Sequence, residues 1–326
     1  MANILEPEYQ NSVPPSIIVF DLNDDSIVRR YELPQDQFVQ NKSLFANIAI
    51  EDNDCSRIFA YLADISSPGL VVYSWKDNDS WLVNHNYFNI DPLAGEFNVS
   101  GIVFHWSDGI FGMGLSEIKP DGSSDLYFHP MTSTDEFVVS TKFLKDKALS
   151  QKSNGEFRHL GSRGPKGQSS VSFLDKKTGV LFYALINLNA IACWKTTNPR
   201  YTMQSQGRVY MSNVTMVFPS DIKVDSDDNM WVLSNRLPTF MYKGFNASEV
   251  NFRLLTAPVK DAINGTACDA KGIVTPEMKA KMKNHLDSIN PPKSTPKAGQ
   301  SGSEGINSRL NAVLILLAVL NLLMMH

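Results

Sequence analysis

The chain has 326 residues, 43% of them hydrophobic and 20% charged, with a formal net charge of -4 at neutral pH. That length and apolar content suffice for one large β domain with its own core. The slight negative balance, with no basic run interleaved by aromatics, gives no footprint of a nucleic-acid binder.

Residues 1–13 are polar and read as a loose lead-in. Residues 14–34 carry one or two strands, with Asn23-Asp24-Asp25 as a turn. Residues 35–46 are a polar connection. The segment around Asn47-Ile48-Ala49-Ile50 runs through the turn Glu51 to Asp54 into Ile58–Ala63, then Asp64, then Leu70–Trp75. Residues 91–107 read as a loop and a strand, with Asp91 to Gly95 as a turn. A second unit follows: Phe111–Ile118, the turn Lys119 to Gly122, Leu126–Phe128, Pro130 and Phe137–Thr141. Lys145 to Gln168 is polar, basic and poor in large apolar residues, the composition of a long surface loop. A third unit comprises Ser170–Leu174, the turn Asp175 to Gly179, Val180–Leu185, Ile186-Asn187 and Ala190–Trp194.

The fourth unit, Met216 to Tyr242, is the most explicit. Asp221 to Val224 alternates polar and apolar residues, the period of a strand with one buried face. Asp225 to Asn229 is a tight polar turn, Met230–Leu233 a second strand, and Thr239–Tyr242 a predicted third. Such a meander cannot bury its apolar face alone and needs similar units beside it. The recurrence, at intervals of roughly 50 to 70 residues, matches propeller blades. A β-sandwich, with regular strand spacing and no higher period, is the competing arrangement.

Ala257 to Asp269 includes a short predicted helix, Val259 to Ile263. Val274 to Ile289 has the pattern of a charged helix with Pro276 in its first turn, stopped by Asn290-Pro291-Pro292. Residues 293–309 are a flexible Ser, Gly, Pro and Lys linker. Leu310 to Met325 is apolar but short for a transmembrane helix. With Ser301-Gly302-Ser303 and a polar spacer before it, it fits a GPI-anchor signal, with a single C-terminal span or an unanchored tail as competitors. The organisation is therefore a lead-in over 1–13, a β domain over 14–270, a helix and linker over 271–309, and an apolar tail over 310–326.

No catalytic signature is present: no G-x-S-x-G, no H-E-x-x-H, no P-loop and no G-x-G-x-x-G. The histidines are scattered without metal-ligand spacing, so no protein-bound metal is expected. No cofactor is implied. Aligning the four units places Asp64, Pro130, Ile186 and Asn235 in equivalent positions, where the second strand leaves for the third. Polar groups gathered at one end of a channel are a default small-ligand site. The competing reading is that Asp64, Asn187, Asn189 and Asn235 hold their turns in shape.

The same residues resemble a known family. Val19 to Pro34 (VFDLNDDSIVRRYELP), Ala60 to Asp64 (AYLAD), Phe97 to Ile102 (FNVSGI), Gly109 to Met113 (GIFGM), Asn189 to Trp194 (NAIACW), Phe218 to Asp221 (FPSD), Trp231 to Arg236 (WVLSNR) and Asn251 to Arg253 (NFR) are similar to motifs of the insect yellow / major royal jelly proteins. The resemblance runs from about Pro14 to Asp269, in order and at family-like intervals. It implies an all-β, six-bladed propeller, of which about four blades and part of a fifth are here, and a secreted protein. It implies a role in melanin pigmentation and the cuticle, with dopachrome conversion or biogenic-amine binding in some members.

Three cysteines, Cys55, Cys193 and Cys268, are an odd number. With the family in view, the expected pair is Cys193 with Cys268, Cys55 awaiting a partner upstream; the competing reading is that all three are reduced, buried small residues. Six sequons, at Asn41, Asn78, Asn98, Asn213, Asn246 and Asn264, suit a secretory route. The N-terminus shows no signal peptide; either the protein is cytosolic or, the reading favoured here, the signal lies upstream together with further strands. Expressed as written, four blades are expected to leave strand edges exposed.

In amine-binding relatives the contacts are a hydroxyl in the Phe-Pro-x-Asp motif, an asparagine after the Trp-Val-Leu strand and a large side chain two residues later. These positions fall on Ser220, Asn235 and Leu237. The leucine removes an aromatic stacking face. The implied partner is a small aromatic amine or catechol. A dopachrome-converting enzyme would also need a general acid or base, for which Asp64 and Asp221 are the candidates.

Overall fold

The structure, a computed structural model, describes residues 13–52 and 56–269. The predicted helix Val274 to Ile289, the linker, the apolar tail and Cys55 lie outside the described residues.

Strands β1 (Ser16–Phe20) and β2 (Ile27–Glu32) form an antiparallel pair. The first four-stranded blade is β3 (Phe45–Asp52), β4 (Ile58–Asp64), β5 (Gly69–Ser74) and β6 (Asp79–Val83). A hairpin of β7 (Glu96–Val99) and β8 (Ile102–His105) follows. Its two-residue turn is Ser100-Gly101, with φ of 51° and 79°. Positive φ at both positions suits the right-handed twist of the strands, and glycine supplies one without strain.

The second blade is β9 (Ile110–Leu115), β10 (Asp125–Pro130), β11 (Asp135–Ser140) and, after the short helices α1 (Thr141–Leu144) and α2 (Lys147–Ser150), β12 (Arg158–Ser162). The third is β13 (Ser172–Asp175), β14 (Val180–Leu185), β15 (Ala190–Lys195) and β16 (Gln206–Met211). The fourth has three strands: β17 (Phe218–Val224), β18 (Asn229–Asn235) and, after helix α3 (Leu237–Lys243), β19 (Phe252–Pro258). Helix α4 (Val259–Ile263) ends the domain at the predicted residues.

The blades are arranged as a propeller, not as two stacked layers. The first strand of each blade lies beside that of the next: β3 beside β9, β9 beside β13, β13 beside β17. Separate apolar cores fill the gaps between successive blades. Tyr61, Val72 and Trp81 pack with Met113, Phe128 and Phe137 between the first and second. Tyr127 and Val138 pack with Leu181 and Tyr183 between the second and third. Phe182 and Ile191 pack with Ile222 and Val232 between the third and fourth. Sheets covered on both faces explain why β5 and β14 are buried along their whole length and read as unbroken apolar runs. At the two ends of the series, Ile48 and Ile50 on β3 and Phe252 and Leu254 on β19 stay about half exposed.

The turn Asp225 to Asn229 forms as its composition predicts. Asp225 Oδ1 accepts from the amides of Asp227 and Asn229, and Oδ2 accepts from Trp231 Nε1 at 2.7 Å. The Trp231 hydrogen bond leads the effects that hold this carboxyl below its ordinary range.

Two expectations are corrected. Thr239 to Tyr242 is not the third strand: it belongs to α3, and β19 pairs with β18 instead, Asn235 opposite Phe252. Pro238 explains this. It has no amide hydrogen for a ladder, and its fixed φ suits the first turn of a helix. Lys145 to Gln168 is not a surface loop throughout. It contains β12, the outer strand of the second blade, followed at once by the buried Arg163. A polar outer strand lacks the apolar alternation by which strands are recognised.

Cys193 on β15 and Cys268 beyond α4 are joined by a disulfide and fully buried. The bridge ties the end of the domain to the third blade.

Candidate functional site

The second strand of each blade ends on one face of the propeller. Asp64 ends β4, Pro130 ends β10, Ile186 follows β14 and Asn235 ends β18. At two of these turns the polar side chains are occupied by the backbone. Asp64 Oδ1 accepts from the amides of Leu44, Ser66 and Ser67. Asn187 accepts from the Asn98 amide and donates to the Glu96 carbonyl, fastening the β7–β8 hairpin to the third blade. Asn189, in the left-handed region at φ 49°, donates to the Val217 carbonyl of the fourth blade. The hairpin lies over this face: Phe97 and Phe104 pack with Met131, Ile186, Val217 and Phe218, and with the half-buried Leu237.

Ser220 and Asn235 meet at the fourth turn. Asn235 Nδ2 donates to Ser220 Oγ at 3.0 Å, and Asn235 Oδ1 accepts from the Leu237 amide at 2.9 Å. Ser220 Oγ donates to the Leu233 carbonyl at 3.4 Å, a long bond. The pair therefore fixes the turn from β18 into α3. One amide hydrogen of Asn235 and one lone pair of Ser220 have no hydrogen-bond partner among the described residues.

Aromatic rings stand beside this pair. Phe218 is the register partner of Asn235, and the Trp106 ring meets Phe218 edge-on with centroids 5.9 Å apart. Trp106 Nε1 donates to the Tyr242 hydroxyl at 2.9 Å, and Tyr242 stacks on Phe104 at 5.2 Å. Trp106 is half-buried and Tyr242 is 38% exposed. Neither was singled out from the sequence. Trp106 falls in the segment 91–107, read only as a loop and a strand, and Tyr242 reaches the face only because α3 replaces the expected strand.

A titratable group with a shifted pKa follows in the chain. Asp108, two residues beyond Trp106, has its carboxyl pushed up to about 6 by burial alone. Its backbone is bonded to Thr132 in both directions. Of the two carboxylates singled out in the sequence, Asp64 is buried on its turn, and Asp221 accepts from its neighbours Ile222 N and Lys223 Nζ at 2.9 and 2.7 Å. The folded Asp108 pKa exceeds its unfolded value, so the folded protein binds the extra proton between about pH 4 and 6. Stability from this group is present below that window and lost as pH rises through it. Asp108→Asn is expected to raise stability at pH 7 by about 1–2 kcal/mol and to leave it unchanged near pH 4, measured by urea denaturation.

A second polar group is sealed between the second and third blades. His129 Nδ1 lies 2.9 Å from Glu136 Oε2, which also accepts from Arg163 Nη1 at 2.6 Å, and all three side chains are fully buried. The carboxylate can only accept, so the imidazole proton sits on Nδ1. Burial leads in lowering the His129 pKa, opposed by Glu136 and aided by Arg163, so the ring is neutral. Gly112 is required here, because a Cβ at that position would overlap the imidazole. Among the described residues, no group of three or more His, Cys, Asp or Glu side chains is placed to hold a metal.

Comparison with known proteins settles the family. The family described as "Major royal jelly protein" matches residues 1–268. The chain belongs to the major royal jelly protein family. Within it, the chain is 43% identical over 264 residues to the Protein yellow of Drosophila subobscura, covering 80% of this chain and 46% of that one. Against the Protein yellow of Drosophila melanogaster the identity is 42%, covering 80% and 48%. The chain thus spans about half the length of these curated family members. Among solved structures, virginiamycin B lyase from Staphylococcus aureus aligns with a TM-score of 0.40 and 12% identity over 76% of this chain and 64% of that one. That likeness is too slight to carry an argument. Among the described residues, no helix is long and apolar enough to cross a membrane.

Proposed function

We propose that this chain is the propeller of a secreted, glycosylated yellow-type protein. It acts in cuticle pigmentation by holding a small aromatic amine or catechol at the Ser220–Asn235 end of the blades. The observation that carries this reading is a hydroxyl–amide pair in register with Phe218, which the half-buried Trp106 meets edge-on while bonding Tyr242. A planar ring with polar substituents needs both a stacking face and hydrogen-bond partners. The face lost at Leu237 is supplied by Trp106 and Tyr242. Secretion is supported by the buried disulfide and by the exposure of all six sequon asparagines, Asn41, Asn78, Asn98, Asn213, Asn246 and Asn264. Attachment to a membrane through residues 310–326 is an expectation of the sequence alone.

Calorimetry with dopamine and serotonin tests the reading. Binding is expected, weakened about tenfold by Asn235→Ala, the cost of one lost hydrogen bond in a desolvated site. No heat with either ligand, or unchanged affinity in the variant, would contradict it.

A second reading, a dopachrome-converting enzyme, is favoured by Asp108. Isomerising dopachrome moves a proton from carbon to oxygen, and a carboxyl titrating near 6 can accept and return one at neutral pH. Decay of dopachrome absorbance, compared between the protein and Asp108→Asn, separates the two readings. Acceleration lost in the variant favours the enzyme, and no acceleration favours a binding protein.

A further inference from the structure

A cavity of about 430 Å³ opens among Pro68, Asn84, His85, Asn86, Asn89 and Asn154. Ser220 and Asn235 do not line it. Its chemistry is distinctive. Four of the six lining residues are asparagines, and none carries a fixed charge.

The single titratable group is neutralised by its contacts. His85 Nδ1 accepts from the Tyr87 amide at 3.1 Å, so its proton sits on Nε2, which faces the Asn154 carbonyl at 3.2 Å. Burial leads in lowering its pKa. The ring is stacked on Phe157, with centroids 4.1 Å apart and an interplanar angle of 14°, which makes the wall rigid. The amides of Asn84, Asn86 and Asn154 make no side-chain hydrogen bond to other described residues. Each offers two donors and an acceptor with two lone pairs.

The lining excludes several ligand classes. A phosphate or carboxylate would want arginine, lysine or a run of backbone amides, and an ammonium ion would want a carboxylate or an aromatic cage. An apolar molecule would leave the amides without partners. Sugar hydroxyls both donate and accept, and so do asparagine amides, so hydrogen bonds to water are exchanged for equivalent bonds to protein. The volume falls within the range of small-molecule sites. We propose that this cleft binds a neutral polyhydroxylated ligand, a segment of a glycan chain, through the amides of Asn84, Asn86 and Asn154.

The test is saturation-transfer NMR and calorimetry on the full chain with maltotriose, cellotriose and triacetylchitotriose. At least one is expected to bind with the same affinity at low and high salt, because no charge is involved. Asn86→Ala and Asn154→Ala are each expected to weaken it about tenfold, the loss of one or two hydrogen bonds. Their melting temperatures should be unchanged, because these amides hold no part of the fold. No binding of any of the three at about 10 mM, the weak end of specific recognition, would overturn the proposal. So would binding that both variants retain in full, or binding that salt abolishes.

Discussion

Arg163→Ala is expected to destabilise the protein by about 3–5 kcal/mol, the usual cost of breaking a fully buried ion pair by removing one partner. Glu136 Oε2 accepts from Arg163 at 2.6 Å and from His129 at 2.9 Å, with no solvent at any of the three side chains. Arg163 also donates to the carbonyls of Gly167 and Ser133, so its loss leaves buried acceptors as well as a buried charge. The variant carries an internal control. Without the guanidinium, His129 can take a proton and replace the missing cation beside Glu136. The defect should therefore be smaller at pH 5 than at pH 7, and the pH effect should vanish when His129→Gln is added. Replacing both charged partners, with Arg163→Met and Glu136→Leu, should recover much of the loss. Urea denaturation at the two pH values measures all of this. A loss below about 1 kcal/mol in Arg163→Ala would mean that the pair is not securing the outer part of the second blade.

Removing the Cys193–Cys268 disulfide by Cys193→Ala with Cys268→Ala is expected to cost about 4 kcal/mol. The bridge spans 75 residues of sequence, and the chain-entropy account of cross-links gives that magnitude for a loop of this length. For a domain of this size the melting temperature should fall by roughly 10 °C, and reductant should shift the unaltered protein but not the double variant. Both sulfur atoms are buried against the core shared by the third and fourth blades, so reduction should be slow until the domain opens. A melting curve indifferent to both the substitutions and reductant would show that packing alone secures the end of the domain.

Much of the architecture was legible because each blade repeats a period that composition exposes. The turns at Asp121-Gly122, Lys177-Thr178-Gly179 and Asp225 to Asn229 are made of residues whose side chains or glycine geometry close them locally. The equivalent ends of the second strands, Asp64, Pro130, Ile186 and Asn235, could be aligned for the same reason. What was not legible depends on partners distant in sequence. β12 is polar because it is an outer strand, and only pairing with β11 makes it one. Thr239 to Tyr242 has strand-like residues, but Pro238 commits it to a helix. His129 carries no local sign that Glu136 and Arg163 will surround it, the latter 27 residues beyond Glu136. Trp106 and Tyr242 come together through a hairpin and a short helix, and no spacing rule connects them.

Hydrogen–deuterium exchange on the full chain, with and without saturating dopamine, tests most directly whether this end of the propeller is the ligand site. Slower exchange is expected in the peptides carrying Ser220, in the turn from Asn235 into α3, and around Trp106 at the end of β8, with the remaining blades unchanged. Protection confined to other blades, or none at a dopamine concentration that calorimetry shows to be saturating, would contradict it.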